Sequence, residues 1–186
     1  MPRTACRHRL PETPATGRLL RIHGRFTGFS ASDPTLTPCR PLAGWLFWTL
    51  TEYWLHRLVF HFEPEEGPLA RLHWIIHGVH HDHPNDPLRL VMPPSVSVPL
   101  AAAFYGLFVL AMGTDAANVF AAGFLLGYLV YDMTHYHVHH HKPRTRAGRR
   151  LRELHMRHHF QDDTRGFGVS APFWDYVFGT PLKRGR

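Results

Sequence analysis

Residues 96–131 read VSVPLAAAFYGLFVLAMGTDAANVFAAGFLLGYLVY, two apolar runs, Val96–Met112 and Ala116–Tyr131, divided by Gly113, Thr114 and Asp115. Gly and Asp between two long apolar runs mark a turn, so the stretch reads as a helical hairpin. Each arm is slightly shorter than the roughly 20 residues that cross a bilayer, so length alone does not decide where the hairpin sits. The rest of the chain does: 186 residues leave too little other sequence to cover both arms from water. The hairpin is therefore expected in a membrane.

Upstream, Leu42–Phe62 (LAGWLFWTLTEYWLHRLVFHF) is apolar and aromatic on most sides, as a helix buried in lipid or in a bundle should be. The polar loop EPEEGP at 63–68 follows, then helical spacing over Leu69–Asp82 until Pro84 and Pro87 stop it. Residues 1–40 are broken by Pro and Gly, lack an apolar stretch long enough for a secretory signal, and read as an irregular basic arm. The expected organisation is this arm, a domain over 41–182 with membrane helices at about 42–60, 96–112 and 116–134, and a basic tail at 183–186. The fold class is all-α: membrane helices capped by a cytosolic, histidine-rich helical domain. No internal repeat stands out beyond the histidines.

The formal charge of +7 raises the question of nucleic acid. Lys142, Arg144, Arg146, Arg149, Arg150 and Arg152, however, form a run directly after an apolar segment, a placement that suits anionic lipid headgroups on a cytoplasmic surface. A membrane, rather than nucleic acid, is the expected partner. Two cysteines, Cys6 and Cys39, form no CxxC pair, which excludes thiolate metal sites and a disulfide scaffold. If the hairpin enters and leaves by one face, the histidines before and after it share that side, and the basic run makes it cytoplasmic. One feature conflicts with this topology. Were 42–58 also to span, Arg3, Arg7, Arg9, Arg18, Arg21 and Arg25 would face outward, so that segment is re-entrant or a preceding helix is missing.

Seventeen histidines make up the chemistry-bearing part of the sequence. His77, His80 and His81 stand at i, i+3 and i+4 on one helix face, and His155, His158 and His159 repeat that spacing. His135 and His139, four apart, lie about 40° apart around a helix. His56 and His61 are five apart, about 140° on a regular helix, so the helix should unwind between them or they should serve different metals. Clustered imidazoles in a poorly hydrated region repel one another when protonated and need partners when neutral, and metal coordination satisfies them together. These ten are too many for one ion and fit two ions with about five nitrogens each; neutral imidazole suits Fe, Zn, Cu or Ni. Glu52, four before His56, and Asp132, three before His135, are placed to accept the free ring N–H of those histidines. His23 and His73 read as structural histidines, and His83, His137, His140 and His141 as solvent-facing or outer groups.

The segments TEYWLHRLVFHF, LHWIIHGVHHDHPNDPLRLVMPP, GYLVYDMTHYHVHH and LRELHMRHHFQDDTRGFGVSAPFWDYVFGT, from about Trp45 to Thr180, resemble the histidine boxes of the fatty acid hydroxylase and sterol desaturase superfamily, most closely the fatty acid 2-hydroxylases. That resemblance implies His56, His61, His77, His80, His81, His135, His139, His155, His158 and His159 as ligands of two metal ions, iron in the active form, although zinc can occupy such sites. It also implies a membrane-bound monooxygenase using O2 as co-substrate, with hydrogen abstraction beside the carboxyl group of an acyl chain and return of a hydroxyl. This sequence departs from the family pattern in lacking a fused cytochrome b5-type heme domain, so electrons are expected from a separate ferredoxin or cytochrome. The family's first membrane helix has no expected counterpart in residues 1–40, in keeping with the charge conflict over 42–58. A sterol or carotenoid oxygenase, or a non-redox zinc-binding membrane protein, is the competing reading, and no HExxH of a zinc hydrolase occurs.

Overall fold

The computed structural model describes residues 39–183, so the basic arm, including His23, lies outside the described residues up to position 38, as does the tail from 184. The elements in order are α1 (Cys39–Leu55) running into a π turn (His56–Phe60), α2 (Gly67–His73) running into a second π turn (Trp74–Gly78), α3 (Val79–Asp82), α4 (Pro94–Met112), α5 (Thr114–His140), α6 (Arg146–Phe160) and α7 (Phe173–Val177). No strand occurs among the described residues. Cys39 and Arg40, expected in the irregular arm, already belong to α1.

The scaffold is the crossing of α1 over α5. Gly44 and Gly123 permit it: a methyl on Gly44 would overlap the Phe120 carbonyl oxygen, and one on Gly123 the Pro41 backbone. Backbones this close let Trp48 pack edge-on against Phe124 and Tyr128, with ring centroids 5.1 Å apart in both pairs. The hydroxyls that α1 carries through this apolar layer are satisfied locally, Thr49 donating to the Leu46 carbonyl (2.7 Å) and Thr51 to the Phe47 carbonyl (2.8 Å).

The hairpin is tighter than its sequence suggests. Gly113 alone makes the turn, at φ 77°, and Thr114 and Asp115 are already helical, the Asp carboxylate lying in the first turn of α5 where the helix dipole favours it. At 19 residues α4 is about 28 Å long, close to the ~30 Å thickness of a bilayer core. Apart from Phe108 and the neighbours that pack with it on α5, many of its apolar side chains are uncovered, Leu110 85% and Leu107 60% exposed, and both α4 and α5 are long and apolar enough to cross a membrane. With 27 residues, α5 continues past the expected end near 134 to His140, so one rigid helix joins the apolar layer to the histidines.

Beyond α5 the chain turns back at Pro143, and Thr145 caps α6 by accepting from the Gly148 amide at 3.0 Å. Arg152, expected in the lipid-facing basic run, instead points inward. Its guanidinium donates to the carbonyls of Val138, His139 and His141, satisfying the C-terminal end of α5.

Candidate metal centre

The ten histidines converge into two groups of five, His56, His61, His77, His81 and His158 in one and His80, His135, His139, His155 and His159 in the other. Within each group one nitrogen per ring lies within 4.8 Å of every other. The two triads are therefore split rather than used whole. In each, the i, i+4 pair serves one group (His77 with His81, His155 with His159) and the i+3 residue crosses to the other (His80, His158). Every group thus has a pair from the end of a long helix, a pair from one triad and a single ring from the other triad. The groups abut, the rings of His81 and His159 stacking at 4.1 Å.

Two π turns bring the first group together. The His61 amide bonds the His56 carbonyl at 3.2 Å, a reach of five residues that stacks His61 over His56 and resolves the 140° conflict of a regular helix by widening one turn. Their Nε2 atoms stand 3.2 Å apart, and both serve the same group. His73 is structural, its Nε2–H donating to the Phe60 carbonyl at 2.5 Å and so pinning α2 to the first π turn.

Facing Nε2 atoms are separated by 3.0 Å in His61–His158 and His77–His81, 3.0 Å in His80–His135, 3.1 Å in His80–His159 and His155–His159, and 2.8 Å in His139–His155. With metal–nitrogen bonds of about 2.0–2.1 Å, ligands at right angles are about 2.9 Å apart and tetrahedral ones about 3.4 Å apart. The spacing fits the edges of an ion with more than four positions. Five imidazoles at such edges leave a position free for a small molecule, unlike the closed four-ligand site of structural zinc.

The rings are held neutral, as ligands must be. Burial, with repulsion from neighbouring rings, pushes the His61 and His80 imidazoles down to about 2 and His81 to about 3. The same causes hold His77, His155 and His159 well below the ordinary imidazole range.

Outward-facing nitrogens distinguish the groups. In the first, His56 Nδ1–H donates to the Phe167 carbonyl (2.6 Å) and His158 Nδ1–H to the Arg165 carbonyl (2.8 Å), which directs their Nε2 atoms into the group. Those carbonyls sit on a loop fixed from three sides. Asp175, 3% exposed, accepts from the amides of Phe167 (2.9 Å) and Gly168 (3.0 Å) and from the Thr180 hydroxyl (2.9 Å). Thr180 meets the Tyr53 hydroxyl at 2.8 Å, and Glu52 accepts from the Ser170 amide (2.7 Å) and hydroxyl. In the second group, the Nδ1 atoms of His80, His155 and His159 are buried with no protein acceptor among the described residues, while His139 has the Pro84 backbone beside it.

Glu52 thus braces the loop that holds His56 instead of touching His56 itself. Asp132 accepts no hydrogen bond from His135; it lines a small cavity beside His77, Glu52 and Tyr131. His83, His137, His140 and His141 belong to neither group. The loop carbonyls and Asp175 carry no signal in a search for ligand side chains, since a backbone acceptor has no residue type; only the Gly166–Phe167–Gly168 pattern marks a close backbone approach there.

Residues 41–180 match the family model described as fatty acid hydroxylase. The chain is 40% identical over 137 residues to a dihydroceramide fatty acyl 2-hydroxylase of Arabidopsis thaliana, covering 74% of this chain and 58% of that protein. It is 41% identical over 140 residues to the fatty acid 2-hydroxylase of Rattus norvegicus, covering 74% and 38%, and 44% identical over 142 residues to a ceramide very long chain fatty acid hydroxylase of Saccharomyces cerevisiae, covering 75% and 37%. A solved structure of full-length scs7p, in which only the hydroxylase domain is visible, superposes with a TM-score of 0.77 at 41% identity, over 80% of this chain and 57% of that one. The chain therefore spans between about two fifths and three fifths of the length of these relatives. With its helical scaffold and two imidazole groups inside the matched segment, the chain belongs to the fatty acid hydroxylase family.

Proposed function

We infer that this chain hydroxylates a fatty acyl chain at the carbon next to the carboxyl group, using O2 and two iron ions held by the ten imidazoles. The observation that carries this reading is the junction of the metal centre with an apolar cavity. A space of about 180 Å³ lies between α1, α4 and α5, walled by Trp48, Leu55, Met92, Phe104 and Tyr128. Trp48, Leu55, Met92 and Tyr128 also wall the narrower space of about 20 Å³ that ends at His77 with Glu52, Tyr131 and Asp132. An acyl chain entering between the helices would bring its polar end to the rings and leave its tail in apolar surroundings. Two of the relatives are named as fatty acyl or fatty acid 2-hydroxylases and the third as a ceramide very long chain fatty acid hydroxylase, which supports the same substrate class.

Iron bound there would supply the redox chemistry, one oxygen atom of O2 entering the C–H bond and the other leaving as water with two electrons and two protons from a separate donor such as a ferredoxin or cytochrome b5. The chain's own part is binding and exclusion. Five neutral nitrogens per ion hold the metals, the loop at 165–170 orients His56 and His158, and the apolar walls keep water from the reacting carbon. In this reading α4 and α5 cross the membrane and the imidazoles face the cytoplasm, where the basic run lies.

The test is turnover of iron-loaded protein with a reductase system under 18O2. The expected product is a 2-hydroxy fatty acid carrying one heavy oxygen. Product oxygen drawn from water, or hydroxylation of sterols but not of acyl chains, would overturn the assignment.

A further inference from the structure

A groove of about 1090 Å³ runs along α5 on the face turned away from the metal centre. Met133 and His137 line it, two positions to either side of His135 and hence roughly opposite on the helix. The groove changes character along its length. Leu129, Val130 and Met133, between 41% and 58% exposed, make an apolar wall at the level of the hairpin. One turn further, His137, Lys142 and Arg144 make a basic end where the chain turns into α6.

Charge decides what fits. From Met133 to Arg152 the sequence has no Asp or Glu. Other basic residues nearby are engaged: Arg150 and Arg157 pair with Glu153, Arg152 caps α5, and Arg149 donates to the Arg144 carbonyl. Lys142 and Arg144 have no carboxylate partner among the described residues. A ligand with an apolar tail and a net negative head matches both ends of the groove. A zwitterionic head matches less well, because its ammonium would meet cations with no carboxylate to receive it.

We propose that this groove is a binding site for an anionic phospholipid, its acyl chains along Leu129, Val130 and Met133 and its phosphate between Lys142 and Arg144. The site rests on membrane insertion of the α4–α5 hairpin and is independent of the oxygenation chemistry. A lipid held there would fasten the α5–α6 corner, from which His135, His139 and His155 project.

Native mass spectrometry of the full chain in detergent, with phosphatidylglycerol or phosphatidylcholine of identical acyl chains, tests the site. Phosphatidylglycerol adducts should outlast phosphatidylcholine adducts by about tenfold, and K142Q/R144Q should abolish that preference. R146Q, in the same basic run but outside the groove, should retain it. Glycerol phosphate at the same concentration should not compete, because it lacks the tails. Metal content reports folding of each variant independently of lipid and of turnover, and the single variants K142Q and R144Q replace the double one if it loses metal. Equal retention of the two lipids, equal loss in R146Q, competition by glycerol phosphate, or absence of adducts because another segment fills the groove would each overturn the proposal.

Discussion

Two stretches of chain supply the imidazoles, and they run in parallel. His61 and His77 are sixteen positions apart, as are His139 and His155, and each stretch ends in HxxHH. They differ at the front, where the first pair is five apart in His56–His61 and four apart in His135–His139. The extra residue is absorbed by a π turn in the first stretch, whereas α5 reaches the same arrangement as an unbroken α-helix. The stretches differ again in their outer contacts: carbonyls of the 165–170 loop clasp two outward nitrogens of the first group, while those of His80, His155 and His159 in the second have no protein acceptor among the described residues. Ligand spacing and ligand anchoring are thus separate properties. A helix can place rings at the right separation without fixing their tautomer or tilt, which needs an acceptor from elsewhere in the fold.

The comparison breaks most severely where the halves cross. His80→Ala removes the ring that the first triad lends to the second group, and the expected result is loss of that ion with activity falling by more than the roughly 10–100-fold of an outer-contact change. His137→Ala, on the opposite face of α5, should leave metal content and activity nearly intact; equal losses in the two variants would show that membership of a group does not distinguish ligands. Deleting Val59 tests the π turn. With their positions four apart instead of five, His56 and His61 would stand as His135 and His139 do, but His56, upstream of the cut, would rotate away from the rings it now faces. Metal analysis should show the first group weakened and the second retained.

Anchoring gives a smaller effect. Under a chelator, metal should leave the wild type in two phases, the fast one from the second group, with rates about tenfold or more apart. Asp175→Asn turns an amide against the Phe167 and Gly168 N–H donors, costs about 1–3 kcal/mol of stability and should accelerate the slow phase while sparing the fast one. A single phase in the wild type would mean that the loop carbonyls do not distinguish the ions. pH acts on the stability of the fold rather than on the retention of metal. His61 and His80 are held at about 2 and His81 at about 3, against 6.5 when unfolded, so below 6.5 the unfolded chain binds more protons. Thermal melts of metal-free protein should lose stability steadily as pH falls from 6.5, the contribution being spent once pH passes the folded values.

Much of the site was legible in the residues because its signals are local. HxxHH and HxxxH fix which rings share a helix face whatever the rest of the fold does, and uninterrupted apolar runs announce α4 and α5. The spacing of His77, His80 and His81 fixes one helix face but no destination, and rings three and four positions on diverge by enough to join different groups. Helical spacing points Glu52 at His56, yet its partner, Ser170, lies 118 positions away. Arg152 reads as one more charge of the basic run, although the orphan carbonyls at the end of α5 draw it inward.

The sequence alone determined the helical class and the ten clustered imidazoles, because these depend on residue type and short-range periodicity. Which five rings come together in each group, which nitrogens are clasped by Phe167 and Arg165, and where the apolar cavity meets His77 were decided only by the tertiary structure. Those features depend on how α1 crosses α5 and how the 165–170 loop folds back over them. Close helix approach and backbone acceptors distant in sequence leave no periodic trace in the chain.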